Sequence, residues 1–385
     1  MNMMMPAALP IRRLPNSNGA HEDSLNGNAI PHPPALNDRV WVHSSGGTGL
    51  RVATHHKALG VLERSSALYC HLDSDHGERY STALPDGRNV SLSAPNELCL
   101  IGADDLRAEL QKQPHLLPLA NRLLRNITVA QTQRRGAAQI RPIGALQYLL
   151  SLPRVVSTLN HGLDLFFPRH TVRNADLGWV RDEQRSRLRA EMPLIDVHIA
   201  GATGGQGSST FLMHAYLTRW LMDKRRAQNV VRVGVLLGPR AFRGRGTLHN
   251  YVATLRELEH AYRFGFRVAL GNGEVIEYAV PPFDLFFLVD LPEWPHGEDT
   301  QKLSDTAMDD WLRQVALGTH LLTNRTMHDR LQAMLLNTQN QDIGGLSIAT
   351  FSSALINSNL NALIEHIAVH KTQETLRELA KRCGD

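Results

Sequence analysis

Glycines 201, 204, 205 and 207 fall in Ile195-Asp-Val-His-Ile-Ala-Gly-Ala-Thr-Gly-Gly-Gln-Gly-Ser-Ser-Thr210, ahead of an apolar run through Phe211–Leu221. That order reads as a buried strand, a glycine-rich turn and a helix. Glycines let backbone approach a ligand closely and aim several N–H groups at one point. A helix opening there adds its dipole and unpaired N–H donors, so the turn is suited to an anion such as phosphate or pyrophosphate. Thr203, Ser208 and Ser209 offer hydroxyls as further donors. A second turn of this type, Ser44-Ser-Gly-Gly-Thr-Gly49, follows the strand-like Arg39-Val-Trp-Val-His43. Two such turns in one chain suggest a nucleotide held between two loops. An aspartate in place of Gly205 is then expected to abolish binding.

Other chemistries fit less well. A Walker A loop requires Gly-x4-Gly-Lys-Ser/Thr, but Ser208 follows Gly207 and Ala202 stands where the first glycine belongs. An NAD(P)-binding Rossmann oxidoreductase is the serious rival. It wants an acidic residue at the end of the next strand, whereas that strand ends Leu236-Leu-Gly-Pro239. Tyr216, Tyr251 and Tyr262 also lack the lysine four residues on that hydride chemistry of this kind uses.

The elements that must carry these turns alternate. Leu50–Leu62 reads as a helix and Ala67–Leu72 as a strand ending in Asp73-Ser-Asp75. Helices are expected at 104–113, 117–124, 144–152, 210–225 and 249–264, and strands at 194–199, 230–237 and 283–290. This is the pattern of an α/β fold, a mainly parallel sheet with helices on both faces. Ligands on such sheets sit at the strand carboxyl ends, where both glycine turns and the acidic pair fall. Asp73 and Asp75 are candidate Mg²⁺ ligands, directly or through waters, or else a turn or cap. Thr306–Leu322, Thr326–Leu336 and Asn359–Arg382 read as helices, and Gly345–Leu355 as a further strand.

Composition narrows the class. The 385 residues carry a net charge of +4. The basic clusters 134–141, 181–189 and 224–232 are expected to be solvated helix faces, and with few aromatics between them nucleic-acid binding is not favoured. His55 and His56 are expected at the surface, and Arg240–Arg245 in a solvated loop. No stretch approaches the ~20 apolar residues of a membrane span. Three scattered cysteines indicate neither a disulfide framework nor a zinc site, so a cytoplasmic location is expected. Residues 1–37, rich in Pro, Asn, Gly and Ser, read as a disordered arm.

Several of these segments resemble the tubulin and FtsZ superfamily, and within it a divergent bacterial tubulin-like branch. Val40–Val52 is similar to its first nucleotide loop, and Leu72-Asp-Ser-Asp75 to its acidic loop. Gly204-Gly-Gln-Gly-Ser-Ser209 is similar to its signature Gly-Gly-Thr-Gly-Ser-Gly, and Ala137–Gly144 to a Gly-x-x-x-Arg-Pro-x-Gly segment of the bacterial branch. Val233–Gly246 and Asn250-Tyr-Val-Ala-Thr-Leu255 resemble the next strand, the sugar loop and its helix.

The resemblance implies a nucleotide-binding domain over 38–325 and a short, mainly helical remainder, 326–385. It implies GTP or GDP with Mg²⁺, self-association into filaments, and hydrolysis completed by the neighbouring copy. The implied cradle is Ser45, Gly46, Gly47, Thr48 and Gly49 with Gly204, Gly205, Gln206, Gly207, Ser208, Ser209 and Asn250. Asn340-Gln-Asp342 echoes the catalytic loop, making Asp342 its acid. Departures leave three matters open. Gln206 replaces the signature threonine and Ser209 its last glycine, which bears on turnover. No asparagine follows Asp290, which bears on GTP against ATP. The short carboxyl region also fits a regulatory module that binds nucleotide without turnover and signals to a protein partner.

Overall fold

The computed structural model describes residues 39–63, 67–75, 79–93, 97–133, 136–167, 193–242, 247–270, 273–291 and 304–323. In chain order the elements are β1 (Val40–Ser45), α1 (Gly46–Glu63), β2 (Leu68–Asp73), β3 (Ser81–Ala83), β4 (Asn89–Ser91) and β5 (Leu98–Leu100). Helices α2 (Leu106–Gln111), α3 (Leu117–Leu123), α4 (Val129–Thr132), α5 (Arg141–Leu150) and α6 (Leu152–Phe166) follow. Next come β6 (Leu194–Gly201), α7 (Gly205–Lys224), β7 (Val230–Leu237) and α8 (Thr247–Phe264). The last are β8 (Phe266–Ala269), β9 (Val275–Tyr278), β10 (Leu285–Val289) and α9 (Asp305–Thr323).

Six strands form one sheet in the order β10-β7-β6-β1-β2-β5, every pair parallel. Burial on both faces explains the runs Val-Trp-Val of β1 and Val-Gly-Val-Leu-Leu of β7, which alternate only weakly. On one face Val40, Val42, Val197, Ile199 and Val235 pack against Val52 and Ala53 of α1 and Trp311 and Val315 of α9. On the other, Trp41, Cys70 and Leu72 meet Val155, Leu159 and Leu163 of α6 and Tyr216 and Leu217 of α7. Gly162 lets α6 close on Trp41, since a carbon added there would lie 2.5 Å from the indole Cζ2.

From β1 the chain runs outward through β2 to β5, then returns to place β6 on the other side of β1. The connection therefore reverses between β1 and β6, the switch point at which parallel sheets open a crevice. The expected α/β fold is present. Two hairpins, β3–β4 and β8–β9, lie outside the main sheet; neither was expected, nor were β5 and α6. No helix among the described residues is long and apolar enough to cross a membrane. The expected elements 326–336, 345–355 and 359–382 lie outside the described residues, as does the arm 1–37.

Candidate functional site: two interlocked glycine turns at the sheet switch point

Both glycine turns are shorter as loops than expected, because most of each is the first turn of a helix. β1 runs on through Ser45, and Gly46 opens α1 directly. Gly46 has φ +70°, a conformation that penalises any side chain, and an added carbon would lie 3.2 Å from Gly207 N. Gly207 is held equally close, its added carbon 3.0 Å from the carbonyl oxygens of Ser45 and Gly201. Ser45 Oγ lies 3.0 Å from Thr210 Oγ1. A carbon on Gly201 would meet Thr48 at 3.2 Å, and one on Gly49 would meet Ile199 O at 3.2 Å. The structure thus brings Ser45 and Gly46 against Gln206, Gly207 and Thr210, and Thr48 against Gly201.

Two long helices start here side by side. Neither carries an acidic residue in its first turn, and α7 has no side-chain cap at Gly204. The opening N–H groups of a helix have no partner within it. Gly204 is extended (φ −72°, ψ 154°), and nothing lies within 4 Å of a carbon added to it. Gly205 is different. Its added carbon would be 2.6 Å from Ile140 N and 2.9 Å from Ala137 Cβ. A substitution at Gly205 is therefore a packing lesion first, and the expectation built on Gly205→Asp moves to Gly204.

The flanking hydroxyls do not point outward as expected. Ser208 Oγ donates to Gly204 O, Ser209 Oγ to Gly205 O at 2.7 Å and Thr210 Oγ1 to Gln206 O at 2.9 Å. These back-bonds use carbonyls of the first turn. Gln206 is 4% exposed, and neither Oε1 nor Nε2 has a hydrogen-bond partner.

Asn250 is a brace. Its Nδ2 donates to Thr203 O and to Gln139 O, both at 2.8 Å, tying the second glycine turn to the segment before α5. Ala138 and Gln139 there have φ 43° and 64°, an unusual pair of left-handed residues outside glycine. Arg141 donates to Asn250 O at 3.1 Å, to Thr254 Oγ1, and to Glu257 at 2.5 Å. Arg141-Pro-Ile-Gly144 opens α5 rather than turning ahead of it, and Gly144 fits under Gly205 O, where an added carbon would lie at 2.6 Å.

The acidic loop touches the same segment. A carbon on Gly136 would lie 3.4 Å from Asp75 Cβ. Asp73 is buried. Its Oδ1 accepts the Asp75 N–H at 3.0 Å, and its Oδ2 lies 3.4 Å from His71 Nε2. Asp73 therefore makes the turn that was the alternative reading, and Asp75 is half-buried beside it. A cavity of ≈ 220 Å³ opens on the α1 side, lined by Leu50, His71, Asp73, Arg79 and Tyr80 among others. Asp342 lies outside the described residues.

Two expectations are corrected. His55 and His56 are buried: His55 Nε2 lies 3.2 Å from Asp309, and His56 bridges Tyr69 and Thr323 at 2.9 and 3.3 Å. They join α1 to β2 and α9. Burial is the largest effect on His56 and, with His320 nearby, pushes it down to about 3. Basic residues in two clusters are fasteners rather than solvated charge: besides Arg141, Arg225 donates to Asn160 Oδ1 at 2.8 Å. Arg240 is exposed, as expected, and its N–H donates to Asp290 Oδ1 at 3.0 Å; residues 243–246 lie outside the described ones.

Sequence reading missed one group altogether. Beneath the glycine turns, on the α7 side of the sheet, His43, Asp196, His198 and His214 form a buried cluster. A pair spaced by two on β6, one residue on β1 and one on a helix have no motif signature.

Two interlocked glycine turns thus meet at the switch point of a parallel sheet, the place where ligands of such sheets generally sit. Residues 107–358, more than half of the 385, match the family model described as tubulin-like. The chain belongs to that family, within the tubulin/FtsZ superfamily. No curated protein matches it. Among solved structures it is similar to CetZ2 from Haloferax volcanii in a GTPγS-bound protofilament, at 14% identity and TM-score 0.40 over 76% of this chain and 62% of that one. It is similar to CetZ from Methanosaeta thermophila at 15% identity and TM-score 0.37, over 80% and 56%. The protofilament of TubZ from bacteriophage PhiKZ matches at 11% and TM-score 0.39, over 82% and 67%. The chain thus spans less than two thirds of the length of the first two.

Proposed function

We propose that this chain binds a guanine nucleotide, GTP or GDP with Mg²⁺, at the carboxyl ends of β1 and β6. The observation that carries the proposal is the meeting of two helix N-termini without first-turn acids, α1 and α7, at Gly46 and Gly207, where an added carbon would press on the other turn's backbone. Backbone N–H groups of 46–49 and 204–207 hold the phosphates, stabilising charge by fixed dipoles rather than by covalent chemistry. The buried, unpartnered amide of Gln206 supports a polar ligand beside it. Asp75 serves Mg²⁺, through water, and Asp73 holds the acidic loop in shape. Asn250 acts by bracing Thr203 against Gln139. Family membership favours guanine.

Gly204→Asp tests the site. The position is open and extended, and aspartate is a good N-cap, so stability is expected to stay or rise by a few tenths of a kcal/mol. The carboxylate then occupies the phosphate position. At ~4 Å, charge repulsion of about 4 kcal/mol at an effective dielectric of 20 cuts affinity for a fluorescent GTP analogue by at least ~100-fold. Unchanged affinity in a folded variant contradicts the site.

Self-association is the second part of the proposal: hydrolysis is completed by a neighbouring copy, so turnover per chain rises with protein concentration. Turnover that stays flat and measurable contradicts it. A second reading, binding without turnover, is favoured by Gln206 and by the back-bonded hydroxyl of Ser209. Tight binding with negligible turnover at every concentration selects that reading.

A further inference from the structure

His43 and His198 are register partners on the adjacent parallel strands β1 and β6. Their rings stack with centroids 4.6 Å apart and planes 10° from parallel. Asp196, two residues before His198, shares that face of the sheet. His43 Nε2 lies 3.2 Å from Asp196 Oδ1, and His198 Nε2 lies 3.2 Å from Asp196 Oδ2. All three residues are at most 3% exposed.

We propose that His43, Asp196 and His198 form a buried site for a divalent transition metal of the zinc type, separate from the nucleotide cradle. Three observations carry it. First, His43 Nε2 and Asp196 Oδ1 approach to 3.2 Å, yet each is without a hydrogen-bond partner. The imidazole nitrogen does not point along the line to the oxygen. Adjacent ligands on one metal have this relation: with bonds of ~2.0–2.2 Å, a tetrahedral edge measures about 3.4 Å. Second, one ligand atom from each of the three residues falls within 4.8 Å of the others.

Third, His43 has the support metal-bound histidines usually have. Its Nδ1 lies 3.0 Å from His214 Nε2, and His214 Nδ1 lies 3.0 Å from Tyr148 Oη. If each nitrogen donates outward along this chain, His43 keeps its Nε2 lone pair for the metal. Cys70, His43 and His214 form a second group of similar span. It would break that chain, because both ring nitrogens of His214 are engaged in it. Two imidazoles and a carboxylate suit zinc and its neighbours better than magnesium. To bind metal through Nε2, His198 carries its ring proton on Nδ1 and gives up the contact with Asp196 Oδ2.

The test uses the full chain, stripped with a chelator and given zinc chloride alone, both folded and during refolding from urea, because the site is closed to solvent. Bound zinc is counted after gel filtration and thermal unfolding is recorded. We expect about one tightly held zinc per chain and a higher Tm. His198→Gln, folded by circular dichroism, should lower zinc affinity at least about tenfold, and Cys70→Ser should not change it. Wild-type protein that retains no zinc under either condition overturns the proposal. So does a folded His198→Gln variant that holds zinc as tightly, or a sulfur-to-metal charge-transfer band on substituting cobalt. Nucleotide binding is not needed for any of these readouts, so failure here leaves the cradle untouched.

Discussion

At the scale of single residues, this chain keeps several histidines neutral by burial. His56 is the clearest, placed between Tyr69 of β2 and Thr323 of α9, with His320 of α9 against its ring. Burial takes its pKa from 6.5 to about 3. Between those values the unfolded chain binds a proton that the folded chain does not, so stability rises with pH. It is fully present above about 6.5 and is lost as pH falls below it, at up to about 1.4 kcal/mol per pH unit from this residue. His56→Gln removes the titration. Urea unfolding at pH 7.5, 6.0 and 5.0 should show wild type losing stability relative to the variant as pH falls; a constant difference contradicts this role. His56 also shows why such residues escape sequence reading. His55-His56 in a helix has no apolar pattern of its own, and its burial depends on α9, some 250 residues away.

Among the elements, close packing is enforced by glycine where helices meet the sheet or one another. α6 offers the cleanest test. Gly162→Ala brings better helix propensity, worth about 1 kcal/mol, but pushes a methyl to 2.5 Å from Trp41, a side chain 1% exposed and unable to move aside. Overpacking of this kind costs about 1–3 kcal/mol, so a net loss of about 1 kcal/mol is expected in denaturant unfolding. A net gain would show that the α6–β1 contact is looser than described. The long buried strands were legible because their apolar runs are continuous: residues 230–237 were placed to the residue. Strand β5, at three residues, and the two hairpins were not, since such short segments carry too little periodicity. The two helices at the glycine turns start earlier than expected. Gly46-Gly-Thr-Gly49 and Gly205-Gln-Gly207 read as loops by composition, yet they are first helical turns, kept glycine-rich because each packs on the other's backbone.

For the whole molecule, the order β10-β7-β6-β1-β2-β5 explains why two turns about 155 residues apart in sequence are neighbours. The βαβ alternation made the sheet legible and put both turns at strand carboxyl ends. It could not show that Gly46 would touch Gly207, because register between β1 and β6 is a long-range pairing. It also could not show that Asn250 and Arg141 would be fasteners, because both were read from motif position rather than from partners. The buried histidine cluster is a product of the same pairing, with His43 beside His198 only once β1 and β6 lie side by side.

The central claim is that the interlocked turns hold a guanine nucleotide. Its most direct test is to denature the purified chain and identify the released nucleotide by ion-exchange chromatography against GTP, GDP, ATP and NAD standards. The account predicts guanine nucleotide at about one per chain in wild type and none in folded Gly204→Asp. Release of NAD or ATP, or guanine nucleotide retained equally by the Gly204→Asp chain, would contradict it.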